Sequence, residues 1–291
     1  MVTIEKLLKE GVNIIEKREF NSPFLEAQLI LCHLLKRDKI YLHLNRKEEV
    51  SKEVAEKFYS LAEKRNKGYP IQYITNSQEF MGIEFYVQEG VLVPRPDTET
   101  LVEKIIKIVE NKFNNKEVTI LDIGTGSGAI GISLAYYLKN SKVTGIDISD
   151  TAIETANINI EKHNLKNIKI LKGDIFNDFP REKYHIVVSN PPYIESEEIL
   201  GLQTEVSTYE PKLALDGGRD GLKYYRRIVE VFREIHGKEG ILSVEIGSKQ
   251  KEAVEKIFKD SGLFNIIETD KDLYGNNRVV TGYAGSVMAP T

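Results

Sequence analysis

The stretch "SNPPYIESEE", residues 189–198, sets two prolines behind an asparagine and follows them with an aromatic residue, where the apolar run "YHIVV" ends. Asn190 offers a side-chain carbonyl as a hydrogen-bond acceptor. Pro191 offers a backbone carbonyl held by its own ring and by Pro192, and Tyr193 offers a flat ring face. Two fixed acceptors beside a stacking surface suit a planar –NH2 group. They would take both of its hydrogens and aim its nitrogen at an electrophile, which matters most for an amide nitrogen, whose lone pair is delocalised. The plain alternative is a strand stop, since proline lacks the N–H a sheet ladder needs.

A second constellation lies upstream. "LDIGTGSGAIG" places Gly124, Thr125, Gly126, Ser127 and Gly128 between an apolar strand and a helix, where glycine permits a tight turn and close approach of a ligand to the helix N-terminus. Asp147 ends the next strand 23 residues after Gly124, where a carboxylate can bond ribose hydroxyls. "KGDIF" adds Asp174 and Ile175 at the end of a third strand, one polar group and one apolar wall suited to adenine. Together these imply a nucleoside-containing ligand, with "SNPPY" across the switch point of the sheet.

These residues need a frame, and the sequence supplies it. From about residue 97, short apolar strands ("EVTILDIG", "KVTGIDIS", "IKILKGD", "HIVVSN", "GILSVEIG", "NIIETD", "RVVTGY") alternate with amphipathic helices, which predicts a mainly parallel, doubly wound sheet with helices on both faces. Residues 1–75 read as helices only, with Ser22-Pro23 and Ser51 as helix starts and Gly68 as a stop. Residues 76–96 switch to β-branched and aromatic residues broken by Gly82 and Gly90, a hairpin connector. The domain expectation is therefore a helical module at 1–75, the connector at 76–96, a catalytic domain at 97–283 and a patternless tail at 284–291.

Composition narrows the classes. The 291 residues are 41% hydrophobic and 29% charged, ordinary for a globular chain. Cys32 is the sole cysteine, set in "AQLILCHLL" as a core residue, so no internal disulfide forms and a cytoplasmic location is expected. No run approaches a membrane span, and "MVTIEKLLKE" is no signal peptide. The five histidines keep no ligand spacing, so no metal is expected. Residues 1–75 carry a balance of +3, leaving −7 for the rest, a weak asymmetry that solvated helix faces explain and that a phosphate-bearing partner would also exploit.

With "YPIQYI", "VPRPDTETLVE", "LDIGTGSGAIG", "GIDIS", "SNPPYI", "YEPKLALDGGRDGLKYYRRI", "VEIGSKQ" and "YGNNRVVTGY" in this order, the chain resembles the HemK-type peptide chain release factor glutamine methyltransferases, from the helical module to about Tyr283. The resemblance implies a class I S-adenosylmethionine-dependent methyltransferase fold, Rossmann-like, with a mainly parallel seven-stranded sheet, a small N-terminal helical domain and the hairpin connector. It implies transfer of a methyl group from S-adenosyl-L-methionine, leaving S-adenosyl-L-homocysteine, to the glutamine side-chain nitrogen in the Gly-Gly-Gln loop of class 1 release factors, in support of translation termination. By position it makes Gly124 to Gly128, Asp147, Asp174, Ile175 and Asn190 cofactor contacts and Asn190, Pro191, Pro192 and Tyr193 the substrate clamp, with Asn190, Pro191 and Tyr193 catalytic. The helical module would recognise the partner protein. Arg95 to Thr98 match the family's segment without an evident task, and a helix cap at Asp97 or Thr98 accounts for them equally well.

Other readings stay open at this point. An adenine methyltransferase would use the same clamp on a flipped base, although the acidic catalytic half suits DNA poorly, and no direct nucleic-acid or membrane recognition is expected. A ribosomal-protein glutamine methyltransferase is closer. A non-catalytic nucleotide-binding module or a nicotinamide-dependent dehydrogenase would keep the glycine turn and Asp147, yet neither explains Asn190.

Overall fold

The computed structural model describes residues 2–17, 21–113 and 116–285, so the expectation for the tail falls outside the described residues from 286 onward. The chain divides into two compact units. The first comprises Met1–Ser77 together with a later segment, Gln203–Tyr209, and the second comprises Gln78–Leu202 with Glu210–Thr291.

In the first unit, α1 (Ile4–Ile14), α2 (Pro23–Leu35), α3 (Lys39–Leu44), α4 (Lys52–Asn66) and α5 (Ile71–Thr75) enclose Leu7, Ile30, Leu31 and Phe58. The Ser51 hydroxyl caps α4 by accepting from the Val54 N–H, whereas Ser22 precedes Pro23 without a side-chain cap bond. A two-residue pairing of β1 (Val2–Thr3) with β2 (Glu49–Val50) adds a ladder that the helices-only reading lacked. Cys32 is half-buried, and burial pushes its thiol pKa up, which disfavours the nucleophilic thiolate. The polar centre of the unit is Arg65, buried at 2% exposure, with Nη2 2.7 Å from Glu26 and 2.6 Å from Glu205. Burial opposes its charge, and the two carboxylates outweigh that and raise its pKa. Glu205 comes from the inserted segment, so the sequence boundary at residue 75 omits part of this unit.

The second unit opens with β3 (Gln78–Phe80) and β4 (Ile83–Phe85), an antiparallel hairpin that turns at Met81 and Gly82, both at positive φ. After a 3-10 turn at Pro96–Thr98 come α6 (Glu99–Phe113), β5 (Val118–Ile123), α7 (Ala129–Tyr137), β6 (Ser141–Asp147), α8 (Asp150–Lys162), β7 (Ile168–Lys172) and β8 (Tyr184–Ser189). The first-unit helix α9 (Thr204–Tyr209) precedes α10 (Lys223–Ile235), β9 (His236–Glu245), α11 (Lys251–Asp260), β10 (Phe264–Lys271) and β11 (Asn277–Ala284).

The seven-stranded sheet runs β7-β6-β5-β8-β9-β11-β10, all neighbours parallel except β11, which is antiparallel to both β9 and β10. Residues of α6 and α7 pack with one set of strand side chains, and residues of α10 and α11 with the other. The central strands are covered on both faces, so they read as unbroken apolar runs. Strand order reverses between β5 and β8, whose ends, Ile123 and Ser189, are in register. The glycine turn leaves one of them and the Asn-Pro-Pro-Tyr turn leaves the other.

Candidate active site

A cavity of about 370 Å³ opens over the carboxyl ends of β5, β6, β7 and β8. Gly124, Thr125, Gly126, Ser127, Asp147, Asp174, Ile175, Asn190, Pro191 and Pro192 all line it. Gly128 and Tyr193, expected in the same site, are not among its lining residues.

The glycine turn is preformed. The Gly124 and Thr125 N–H groups donate to the Ile146 carbonyl, and the Gly126 N–H donates to Asp147 Oδ2 at 2.9 Å. Gly124 has φ +71° and open space where a Cβ would stand, so the bare side of the turn faces a ligand. Gly128 serves the fold instead, since a Cβ there would sit 2.5 Å from Ile132. Beneath the turn lies Asp122, fully buried, whose Oδ2 accepts from the Thr125 hydroxyl at 2.6 Å and the Gly131 N–H at 3.0 Å. Its Oδ1 takes no hydrogen bond, and burial raises its pKa to about 6.

Asp147 accepts from the Gly126 N–H on Oδ2 and the Ser149 N–H on Oδ1, each at 2.9 Å, and retains lone-pair capacity for a ligand at the cavity wall. Burial raises its pKa. The Asp174 carboxylate is turned to its own loop, accepting from the Phe176 N–H at 2.9 Å and from Asn177 at 2.6 Å. Ile175 is buried against the sheet, and its carbonyl accepts from Arg227 at 2.6 Å. The aromatic surface next to it comes from Phe176 and Tyr224, ring centroids 5.6 Å apart, which both line the cavity.

The Asn190 Nδ2 donates to the Thr98 hydroxyl at 3.1 Å, and Oδ1 is left without a hydrogen bond among the described residues. The Pro191 carbonyl likewise receives none from them. Tyr193 packs against the core under β9 and points its hydroxyl at Glu245 Oε1, 3.4 Å away. Its ring is partly buried and lies outside the cavity lining.

The motifs without an assigned task gather behind this turn. Gln250 Nε2 donates to the Tyr193 carbonyl at 2.9 Å. A Cβ on Gly217 would stand 2.8 Å from Tyr193 Cα and 2.9 Å from the Pro192 carbonyl. Arg278 pairs with Asp97 at 2.9 Å and Asp272 at 3.1 Å, and Arg95 holds Glu210 through both carboxylate oxygens at 2.7 and 2.8 Å. Asp97 and Thr98 therefore serve Arg278 and Asn190 rather than capping a helix. Sequence reasoning missed Asp122 and Glu245, whose signal was a lone acid inside an apolar strand. Gln250 and Arg278 had no local signal.

Known proteins show the same organisation. Residues 114–278 match the model of a methyltransferase domain, and residues 6–75 match that of the PrmC N-terminal domain. The chain is 42% identical over 275 residues to a release factor glutamine methyltransferase of Clostridium acetobutylicum, covering 93% of this chain and 95% of that one. It is 41% identical over 278 residues to one of Thermodesulfovibrio yellowstonii, covering 94% and 97%. The chain belongs to the release factor glutamine methyltransferase family. A solved methyltransferase from Pyrococcus furiosus, 19% identical with a TM-score of 0.50 over 70% of this chain and 90% of that one, shares the fold. The family's methyl donor is S-adenosyl-L-methionine. The residues present suit it: an open glycine turn, a carboxylate with free lone pairs and an apolar and aromatic wall. Among the described residues no group of three or more His, Cys, Asp or Glu is placed to hold a metal ion, and no helix is long and apolar enough to cross a membrane.

Proposed function

We propose that this chain methylates the side-chain amide nitrogen of the glutamine in the Gly-Gly-Gln loop of class 1 peptide chain release factors, in the cytosol, in support of translation termination. The observation that carries the reading is the pair of unbonded oxygens, Asn190 Oδ1 and the Pro191 carbonyl, at the edge of a cofactor-sized cavity. A glutamine amide brings two hydrogens to them.

When bound, S-adenosyl-L-methionine supplies an electrophilic methyl group on a positively charged sulfur. Gly124 and Gly126 would border it, Asp147 would accept hydrogen bonds from its ribose hydroxyls, and Ile175, Phe176 and Tyr224 would flank its adenine. Asn190 and Pro191 hold the amide plane and place partial negative charge beside a nitrogen on which positive charge develops, an electrostatic contribution that needs no general base in contact. Pro192 stiffens the turn, and Tyr193 anchors it from behind. The first unit recognises the partner protein, a task in keeping with its lack of any cofactor motif.

Mass spectrometry of a class 1 release factor incubated with the enzyme and cofactor tests the reading. One added methyl on the Gly-Gly-Gln glutamine, absent when that glutamine is replaced by alanine, is expected. Methylation of DNA or of another protein under conditions that leave every class 1 release factor untouched overturns it.

A further inference from the structure

The Asn-Pro-Pro-Tyr turn has to be held without using the two oxygens it offers to a substrate. Pro191 and Pro192 have no N–H to donate, and a clamp needs Asn190 Oδ1 and the Pro191 carbonyl free. The tie falls on the next carbonyl but one, that of Tyr193, which accepts from Gln250 Nε2 at 2.9 Å. We propose that Gln250 is a positioning residue for methyl transfer, whose side-chain amide locks the Tyr193 peptide and so keeps Asn190 and the Pro191 carbonyl aimed into the cavity. The inference rests on the clamp role of Asn190 and Pro191 given above.

Gln250 stands just before α11, and all four hydrogen-bonding positions of its side chain are taken. Nε2 also meets the Gly221 carbonyl at 3.4 Å, while Oε1 accepts from the Gly247 N–H at 3.0 Å and from the Tyr225 hydroxyl at 3.3 Å. Three of the four partners are backbone groups, whose polarity cannot change: an N–H faces the oxygen and two carbonyls face the NH2. The amide therefore has one orientation. A residue at the start of a helix ordinarily caps it through a short polar side chain, yet Gln250 makes no side-chain cap bond to α11. The helix forgoes its cap and the side chain serves the turn, a break of a local rule of the kind that marks functional positions.

The seat is close. A Cβ on Gly221 would stand 2.5 Å from the Tyr193 carbonyl and 2.6 Å from Gln250 Nε2, so glycine there lets three segments meet at one peptide. At its other end the turn leaves Ser189, fixed in the sheet opposite Val244. Between these anchors proline holds φ at residues 191 and 192, and a shift of the Tyr193 carbonyl is passed to the Pro191 carbonyl with little slack to absorb it. Gln250 is not among the residues lining the cavity, which separates its task from cofactor binding.

The test measures methyl transfer to a class 1 release factor between pH 6 and 8.5, with cofactor binding followed by calorimetry. Gln250→Met keeps the length of the side chain and removes its hydrogen bonds. It should lower kcat at pH 8 by at least about tenfold, as small misplacements of reacting groups do, with cofactor Kd and the KM for the release factor within about twofold. Gln250→Glu keeps an acceptor for Gly247 and Tyr225 but turns an ionised oxygen against two carbonyls, which favours the protonated acid, and protonation restores a donor to Tyr193. Its kcat relative to wild type should be lowest at pH 8.5 and recover at least about threefold by pH 6, whereas the ratio for Gln250→Met stays flat. A kcat within twofold of wild type in Gln250→Met, or a parallel loss of kcat and cofactor affinity, overturns the proposal. A ratio for Gln250→Glu that does not rise on acidification overturns it as well, and decides alone if Gln250→Met does not fold. Absence of release factor methylation by wild type would instead sink the functional reading itself.

Discussion

Two turns leave neighbouring strands of one sheet, each over a buried carboxylate with one oxygen unbonded, and they are built in opposite ways. The glycine turn after β5 gains its shape from backbone freedom, and its carboxylate, Asp122, is bonded by residues three and nine positions on. The Asn-Pro-Pro-Tyr turn after β8 gains its shape from proline rigidity, and it is held by Thr98, Glu245 and Gln250, which lie 92, 55 and 60 residues from Asn190. A locally closed turn suits a cofactor that meets the same backbone every time. A turn held from distant points lets many elements fix one acceptor. The two should therefore fail differently when perturbed.

The largest difference is expected for Asn190→Ala. Removing one preorganised dipole typically costs about 10²–10³ in rate. Methyl transfer should fall that far in single-turnover assays while calorimetric cofactor affinity changes little, because Gly124, Gly126, Asp147 and Ile175 remain. A near wild-type rate would reduce the turn to a strand terminator.

That contrast also explains what was legible in the sequence. The sheet, its alternation with helices, and Gly124, Asp147 and Asn190 were readable because each is announced by neighbours: a glycine cluster after a strand, an acid at a strand end, a Pro-Pro pair behind an asparagine. Thr98, Gln250 and Arg278 were not readable, since their partners are set by sheet order and loop packing. Tyr193 was read as a stacking face for the substrate; its partly buried ring packs against the core and is not among the cavity's lining residues, a direction that no local pattern encodes. Arg65 shows the same limit in the helical unit, where a residue in a charged run is buried because Glu26 and a segment 140 residues away neutralise it.

The two carboxylates should next separate by pH. Each has a folded-state pKa raised by burial, Asp122 to about 6 and Glu245 to about 7, so each contributes stability that is present below its unfolded value and lost as pH rises through the folded one. For Asp122, raised from 3.8, the loss above pH 6 amounts to roughly 3 kcal/mol. Urea unfolding of Asp122→Asn should be flatter than wild type between about pH 4 and 6, and that of Glu245→Gln between about 4.5 and 7. Identical slopes in wild type and both variants would show that neither acid is as buried as the fold places it.

Alanine at a glycine on each side sharpens the contrast further. Gly217→Ala drives a methyl into the backbone of Pro192 and Tyr193, an overpacking worth about 1–3 kcal/mol. It should lower kcat more than cofactor affinity. Gly124→Ala meets no neighbour but places alanine at φ +71°, a strain of about 1–2 kcal/mol, at the wall of the cavity proposed for the cofactor. It should weaken cofactor binding more than it slows turnover at saturation, and the reverse pattern would exchange the roles of the two turns.

The smallest effect is expected for Tyr193→Phe, and it is the most discriminating. Its hydroxyl donates across 3.4 Å, a long hydrogen bond, so its loss should slow methyl transfer only a few-fold. The ring, packed against β9 and α10, is kept, and with it the course of the turn. A substrate-stacking tyrosine would also tolerate phenylalanine, so rate alone does not separate the two roles. Urea unfolding does. Removing the Tyr193 hydroxyl leaves both oxygens of buried Glu245 without a hydrogen bond, so Tyr193→Phe should lose about 1 kcal/mol or more of stability. A stacking ring that faces a substrate has no reason to lose it. Tyr193→Phe with a modest rate loss and a clear stability loss would tie the turn to its buried carboxylate, whereas unchanged stability would return Tyr193 to the substrate side of the site.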